Sequence, residues 1–278
     1  MSSGTFAKFA RKIIPARFRP VGYLENLVCA RTKGRIPSGP FAGMHYAGNR
    51  GGNAQIHIPK LLGIYERELS PCIEQACTLD FSLIVNVGAA EGYYAVGMAL
   101  RNPAAKVIAF EKEATERVAL TEAARLNTVT DRLEIRTKCE REDLEHLLAD
   151  TPRPLVICDA EGYEAVLLDP VAVPSLRRAF ILVELHEFIE RGISQRIRQR
   201  FLATHEISPI EQQDRTIADF PFENIYTRCL PRRYLHWAVS ESRPERMSWF
   251  WMVPRTAAED SQKPRGNAAA PKSSRATS

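Results

Sequence analysis

Four ionisable side chains follow two short apolar runs in the second half of the chain. Asp159 and Glu161 come directly after the run at 155–158, and Glu184 and His186 lie two residues apart at the end of the next run. Residues two apart on a strand point to the same face. The sequence therefore predicts one rim where four groups suited to proton transfer converge. A second option is a divalent cation on Asp159, Glu161 and His186, since Mg²⁺ and Mn²⁺ accept oxygen and imidazole ligands, although the spacing does not demand a metal.

A glycine-bounded turn separates an apolar run from a helical pattern in residues 83–100. Gly88 lets the backbone turn sharply and approach a ligand, and Gly92 stands where the helix begins, with outward-facing amides. Glu111 ends the next apolar run about twenty residues later, where a carboxylate can accept both hydroxyls of a ribose. An ordinary strand-to-helix turn is the alternative. The two signals together predict a nucleoside cofactor site.

The elements that must position these residues alternate between strand and helix patterns, which predicts a parallel sheet covered on both faces. We predict strands over 83–87, 106–111, 133–137, 155–159, 179–185, 206–212 and 248–253. The last of these should be inserted antiparallel. We predict helices over 60–76, 94–101, 113–127, 142–149, 163–168, 188–204 and 231–240. Residues 31–58 are rich in Gly, Pro, Asn and Ser, which predicts a loop with a short hairpin.

Length and charge limit the possible architectures and partners. A chain of 278 residues with 45% apolar content can bury one substantial α/β core. The first 35 residues hold eight Lys/Arg and one acid and the last 24 hold five and two, which leaves 25 basic and 30 acidic residues between them. The acidic body disfavours a surface that tracks nucleic-acid phosphates. We predict an extension and loop region at 1–59, one domain at 60–254 and a disordered tail at 255–278.

The cysteines and apolar runs bear on the compartment. The six cysteines form no CxxC pair and no zinc-type spacing, which favours buried, reduced thiols. No apolar run is long enough to span a membrane, and the N-terminus lacks a secretory signal pattern. These features predict a cytoplasmic protein without stable membrane insertion. Residues 6–20 could lie on an anionic membrane as a minority alternative, although Pro15 interrupts such a helix.

Several motifs together resemble a known family. The segments NVGAAEGYYA, AFEKE, ARLN, CDAEGYEAVLL and LVELHEF occur in this order between about residues 60 and 190. As an ordered set they resemble the FkbM-like branch of the class I S-adenosylmethionine-dependent methyltransferases. The upstream LLGIYERELSP resembles a segment that precedes the first strand in some of these proteins. The resemblance implies a Rossmann-like, doubly wound sheet of seven strands, mostly parallel with an antiparallel last strand.

The resemblance also implies positions for the cofactor, S-adenosyl-L-methionine. Its methionine part would lie against the first loop, its ribose against Glu111 and its adenine near the end of the third strand. The residues so implied are Asn86, Gly88, Ala89, Glu91, Gly92, Glu111, Cys139 and Glu140. Asn86 stands where an aspartate is common. Of Tyr93 and Tyr94 at the helix start, one should face the cofactor and the other the core.

Methyl transfer to a hydroxyl is an in-line displacement that requires alignment and removal of one proton. We predict His186 as the general base, with Asp159 as its orienting group or the alternative base. Glu161 and Glu184 would position the substrate or hold helix amides. The predicted acceptor is a small-molecule or sugar-containing hydroxyl compound, although His186 could also be an ordinary, hydrogen-bonded strand-end histidine.

Two other functional classes stay open. A nicotinamide-dependent oxidoreductase on a related sheet is disfavoured because the turn lacks the G-x-G-x-x-G order that lets backbone approach a pyrophosphate. A noncatalytic scaffold that keeps the nucleoside pocket is suggested only by Asn86.

Overall fold

A seven-stranded sheet carries the fold, in the order β3-β2-β1-β4-β5-β7-β6. The computed structural model describes residues 19–46 and 54–256. The strands are β1 (Leu83–Val87), β2 (Lys106–Phe110), β3 (Leu133–Arg136), β4 (Pro154–Cys158), β5 (Phe180–Leu185), β6 (His205–Glu211) and β7 (Ser248–Pro254). All neighbours pair in parallel except β7, which runs antiparallel to β5 and β6. The predicted α/β fold is confirmed, and every predicted strand lies within one residue of the observed one.

Helices cover both faces of this sheet. They are α1 (Pro20–Thr32), α2 (Ala54–Leu62), α3 (Ser70–Cys77), α4 (Tyr93–Arg101), α5 (Ala114–Leu126), α6 (Arg141–Leu148), α7 (Glu164–Leu167), α8 (Ile193–Phe201), α9 (Ile225–Cys229) and α10 (Arg232–Val239). Alternate residues of the central strand enter different cores, since Ile84 packs in one cluster and Val85 in the other. This two-sided burial explains why the strand sequences are apolar runs rather than alternating patterns.

The register brings the predicted site residues to one edge. Val87 at the end of β1 pairs with Phe110 of β2 and with Cys158 of β4. Gly88, Glu111 and Asp159 are the residues that follow these three strand ends. Because parallel strands share their carboxyl edge, the three lie side by side where ligands of such sheets bind.

Two predicted helices are wrong in extent. The helix predicted over 60–76 is two helices, α2 and α3, separated by left-handed residues at Gly63 (φ 74°) and Glu66 (φ 45°). A Cβ on Gly63 would lie 2.2 Å from the Ser38 carbonyl oxygen, so the close approach of two backbones ends α2 there. The helix predicted over 188–204 begins only at Ile193, after left-handed Gly192.

The segment before the sheet is part of the core rather than a separate layer. Leu24 and Val28 of α1 and Ile36, Phe41 and Met44 after it are buried in the same cluster as the first strand. An isolated bridge between Arg35 and His45 forms the predicted hairpin. The loop predicted over 31–58 is wrong at both ends, because helix α1 continues to Thr32 and helix α2 begins at Ala54. Helix α2 also runs across residue 59. The division into an extension and a domain at that residue stays a prediction.

Some expectations fall beyond the described residues. The 257–278 part of the predicted tail and most of the segment 6–20 lie outside them. Each of the six cysteines is described, and all are free thiols. The predicted burial holds for Cys72, Cys139 and Cys158, whereas Cys29 and Cys77 are half-buried and Cys229 is exposed. Among the described helices, none has the length and apolar content needed to cross a membrane.

Candidate functional site

A cavity of about 630 Å³ opens at the carboxyl edge of β1, β2 and β4. Five residues predicted from the sequence line its walls, together with Ala90 of the first loop. The five are Gly88, Glu111, Cys139, Asp159 and Glu161. Phe110, Thr137 and Tyr163 add apolar and hydroxyl surface. The volume falls in the range of about 300–1,000 Å³ that is usual for small-molecule sites.

Gly88 makes the narrow turn at the bottom of this cavity. Its φ is 74°, and a Cβ there would lie 1.7 Å from the backbone oxygen of Asp159. No other residue type can occupy this position without moving the end of β4. Gly92, with φ 96°, is the N-cap of α4, and a Cβ there would lie 2.4 Å from Leu120.

Glu111 spans the cavity wall between two backbone amides. Its carboxylate accepts hydrogen bonds of 2.8 Å from the N–H groups of Ala90 and Glu113. Each oxygen keeps a further lone pair, so the fixed carboxylate can still accept from ligand hydroxyls. The loop after β1 and Glu111, which the sequence analysis assigned to one cofactor site, are therefore joined by a direct hydrogen bond.

Glu91 and Tyr93 lie off the cavity wall. The Glu91 carboxylate accepts from Lys60 Nζ at 2.5 Å and from Tyr46 hydroxyl at 2.6 Å, in a buried contact with the N-terminal segment. Burial raises the pKa of Glu91, but Lys60 and these hydrogen bonds outweigh it, and the net pKa is lowered. Tyr93 packs edge-on against Phe41 and other rings of an aromatic cluster.

Tyr94 lies in the same aromatic cluster, where its ring also meets Phe41 edge-on. Its hydroxyl donates to Glu66 at 2.5 Å. Neither ring lines the cavity: Tyr93 is buried in the core, and Tyr94 is partly buried against it. The predicted contact of one of these tyrosines with the cofactor stays a prediction.

Three further predicted residues also lie behind the wall. Asn86 is buried in β1, where its Nδ2 lies 3.4 Å from the Ile157 oxygen and its Oδ1 has no partner among the described residues. Ala89 is buried under the loop. Glu140 is the N-cap of α6 and accepts from the Tyr163 hydroxyl at 2.9 Å, whereas its neighbour Cys139 does line the cavity. The predicted contacts of Asn86, Ala89 and Glu140 with a cofactor stay predictions.

The four predicted catalytic side chains are brought together beside the Gly88 turn, on the β4–β5 side of the cavity. His186 Nε2 lies 3.5 Å from Asp159 Oδ1 and 3.7 Å from Glu161 Oε2. Donor atoms of Asp159, Glu184 and His186 all lie within 4.8 Å of one another. Asp159 and Glu161 line the cavity, while Glu184 and His186 are buried behind them.

Glu164 fixes this histidine, and sequence reasoning missed it. Glu164 is fully buried, and its Oε1 accepts from His186 Nδ1 at 2.7 Å and from the Ala160 N–H at 2.9 Å. Glu164 could have been noticed in the sequence as the last acidic residue of the motif DAEGYE, five residues after Asp159. Because a carboxylate only accepts, the proton stays on Nδ1 and the Nε2 atom faces Asp159.

Arg243 is the second missed residue. Its Nη1 donates to Glu184 Oε1 at 2.8 Å, and its Nη2 contacts both the Tyr65 hydroxyl, at 3.0 Å, and the Glu66 carboxylate. Glu66 is itself buried in a left-handed backbone conformation, the kind of strain that concentrates at functional sites. No sequence pattern links residues so far apart in the chain.

Comparison with known proteins finds similarity only among solved structures. No family model matches the chain, and no curated protein matches it. An O-methyltransferase from Streptomyces achromogenes in complex with SAM is 10% identical, with 91% of this chain and 100% of that chain covered and a TM-score of 0.42.

Two further solved structures give similar values. An O-methyltransferase from Bacillus cereus in complex with SAH is 9% identical, covers 90% and 97% of the two chains and has a TM-score of 0.41. A precorrin-6Y C5,15-methyltransferase from Geobacter metallireducens is 10% identical, with 53% and 76% covered and a TM-score of 0.41. At such low identities and TM-scores, these similarities carry no argument about the reaction. The fold is assigned from the strand order of this chain, and the reaction must be argued from the geometry of its site.

Carboxylates dominate the electrostatics of the cluster around Asp159. Burial and the nearby Glu66 carboxylate raise the pKa of Asp159 to about 6, against the lowering effect of His186 and Arg243. Burial and Asp159 raise the pKa of Glu184. For His186, burial lowers the pKa, but Glu164 and the other carboxylates outweigh it and the net pKa is raised. This cluster therefore holds more carboxylates than its cations can balance.

Proposed function

We propose that this protein transfers a methyl group from S-adenosyl-L-methionine to a hydroxyl of a small-molecule or sugar-containing acceptor. The observation that carries the proposal is a single cavity whose wall contains Glu111, the Gly88 turn and, directly beside that turn, Asp159 and Glu161. The β1–β2 side suits a nucleoside, and the β4–β5 side suits proton removal from an acceptor. A sheet of seven strands, mostly parallel with an antiparallel β7, is the architecture that the resemblance to FkbM-like methyltransferases implies.

The donor would occupy the β1–β2 side. We propose that its ribose hydroxyls donate to Glu111, whose two oxygens are held by the amides of Ala90 and Glu113. The adenine would extend toward Cys139, and the methionine part would lie over Gly88, where the bare backbone permits close approach. The sulfonium methyl would then point toward Asp159.

The acceptor would occupy the β4–β5 side. Asp159 and Glu161 face the cavity there, with His186 and Glu184 behind them. We propose that these four side chains act as one cluster that holds the acceptor hydroxyl in line with the methyl and removes its proton. The FkbM-like assignment is part of this proposal, and it is supported by where the motifs fall: CDAEGYE contributes Asp159 and Glu164, and LVELHEF contributes Glu184 and His186.

A small acceptor fits the charge of the site better than a nucleic acid does. Asp159 and Glu161 at the acceptor end would repel phosphates, and the body between the basic ends of the chain is net acidic. The cytoplasmic location predicted from the sequence remains a prediction.

Calorimetric titration tests the donor assignment directly. S-adenosylhomocysteine, the demethylated product, should bind the wild-type chain, and NADH should not. Glu111→Gln should weaken that binding at least about tenfold, because hydrogen bonds to a charged group are worth about 1.5–3 kcal/mol. Glu122→Gln on the exposed side of α5 is the matched control and should bind like the wild type. Tight NADH binding with no response to the sulfur nucleoside would reject the proposal.

A further inference from the structure

We propose that Asp159, Glu184 and His186 together bind a divalent cation at the acceptor end of the cavity. One donor atom from each residue already lies within 4.8 Å of the other two. An octahedral ion with bonds of about 2.1 Å places neighbouring ligands about 3 Å apart, so modest side-chain rotations would close the site. Two carboxylates and one imidazole are a ligand set suited to Mg²⁺ or Mn²⁺.

The state of His186 is one independent observation that points to a metal. The ring is 2% exposed, and Glu164 engages Nδ1 at 2.7 Å. Within the described part of the chain, Nε2 makes only long contacts, 3.5 Å to Asp159 Oδ1 and 3.7 Å to Glu161 Oε2. Metal-binding histidines characteristically donate their second ring N–H to a carboxylate, which fixes the orientation of the ligating nitrogen. Glu164 is in the position to do this.

Asp159 provides a second observation. Its Oδ1 is buried and has no hydrogen-bond partner among residues 19–46 and 54–256. A buried oxygen without a partner costs free energy, which a bound cation would offset. The same atom lies 3.5 Å from His186 Nε2, so the two atoms face one point, and an ion bound there would replace this long contact.

The surrounding charge favours a cation. Glu161 and Glu164 flank the three proposed ligands, and Glu66 lies just beyond them. Arg243 contacts Glu184, Glu66 and Glu241 and so balances only part of this charge. Arg243 Nη1 donates to one oxygen of Glu184, and the Glu184 carboxyl group also shares a side-chain hydrogen bond with Asp159, which an ion bound between the two carboxylates would replace.

The role of the cation rests on the proposed function, whereas its binding does not. An acceptor hydroxyl bound to the ion becomes more acidic and is held beside the donor. The O–H bond breaks and the proton passes to the Glu161 carboxylate, which lines the cavity. An oxygen lone pair then forms the bond to the methyl carbon, and the C–S electron pair returns to sulfur, leaving neutral S-adenosylhomocysteine. His186 serves here as a ligand rather than as the base predicted from the sequence.

Titration of the full chain with Mn²⁺ after treatment with EDTA tests the site. Calorimetry, together with electron paramagnetic resonance of free Mn²⁺, should show one ion per chain. Asp159→Asn should weaken binding at least about tenfold. Glu164→Gln should weaken it about 10–100-fold, the range typical of lost outer-shell carboxylates, although it touches no metal. Glu113→Gln, at the other end of the same cavity, is the control and should bind Mn²⁺ like the wild type.

Two results would overturn the cation site: no Mn²⁺ binding by the wild type at millimolar concentration, or equal binding by the Asp159 and Glu113 variants. Circular dichroism on each variant confirms that it is folded. A parallel titration with S-adenosylhomocysteine in EDTA separates the two proposals. Nucleoside binding without Mn²⁺ binding rejects the cation site alone, and Mn²⁺ binding without nucleoside binding rejects the proposed function alone.

Discussion

The two ends of the cavity are built by different means. On the proposed donor side, the turn that begins at Gly88 is joined to the Glu111 carboxylate by one hydrogen bond of 2.8 Å, donated by the Ala90 amide 21 positions earlier in the chain. At the acceptor end, the cluster depends on contacts such as that between Arg243 and Glu66, which are 177 positions apart. The donor end is thus shaped mainly by backbone conformation and the acceptor end by buried charges. The difference implies that substitutions at the two ends should fail in different ways.

The largest effect should come from Arg243→Met. Removing the guanidinium leaves the Glu66 and Glu184 carboxylates buried without their partner, which should cost about 3–5 kcal/mol of unfolding free energy. Urea denaturation followed by circular dichroism measures this. Arg191→Met, which breaks an exposed pair with Glu245, is the control and should cost less than about 1 kcal/mol. Similar losses in the two variants would mean that the acceptor end does not depend on its buried charges.

A smaller but more local effect is expected from Gly88→Ala. The added Cβ meets the Asp159 oxygen at 1.7 Å on a backbone of positive φ, so we expect a loss of about 3 kcal/mol. Nucleoside binding should weaken with it. Gly43→Ala is the matched control, because Gly43 also has positive φ (89°) but no atom within 4 Å of the place where the added methyl would lie, and about 1 kcal/mol is expected. If both variants lost the same stability, close backbone approach would not define the donor end.

The smallest effect should come from Glu91→Gln, which probes the buried ion pair with Lys60 beneath the donor loop. Loss of the charge leaves Lys60 buried with a weaker partner, at a cost of about 2 kcal/mol at neutral pH. Because the pKa of Glu91 is lowered in the folded protein, its contribution is present above the unfolded pKa and is lost as the pH falls through the folded value. The wild type and the variant should therefore converge in stability in acid.

Stability curves from pH 7 down to pH 3 would show this convergence. Glu74→Gln, which weakens the exposed pair with Arg101, is the control and should change stability by less than about 1 kcal/mol. A pH-independent gap between wild type and Glu91→Gln would show that the Lys60 contact does not act through charge.

The sheet was readable from the sequence because its strands are buried on both faces. Each strand appears as a short apolar run bounded by turn residues. Such a run can be recognised in the sequence without knowing which strands lie beside it in the sheet. The helix predicted over 60–76 failed because Gly63 stops α2 through its contact with Ser38, a residue whose position depends on the folded N-terminal segment.

The sequence predicted the residues of the candidate site only where they lie at or just after the end of a strand. Asp159, Glu184 and His186 were expected together because their strands are parallel neighbours, and the structure brings them within 4.8 Å. Glu164 and Arg243 reach the same cluster from a four-residue helix and from the connection before β7. Periodicity carries no information about contacts of that kind.

The sequence by itself determined the order of strands and helices, the glycine turn and the carboxylates at the sheet edge, because local backbone preference and apolar burial are written in neighbouring residues. Only the tertiary structure decided which polar side chains face the cavity. Glu91 and Tyr93 adjoin Gly92 in the sequence, yet they point into the core, because Lys60, Tyr46 and the surrounding rings supply partners there. A buried charge takes the direction in which a partner of opposite charge is available, and that partner belongs to a distant part of the chain.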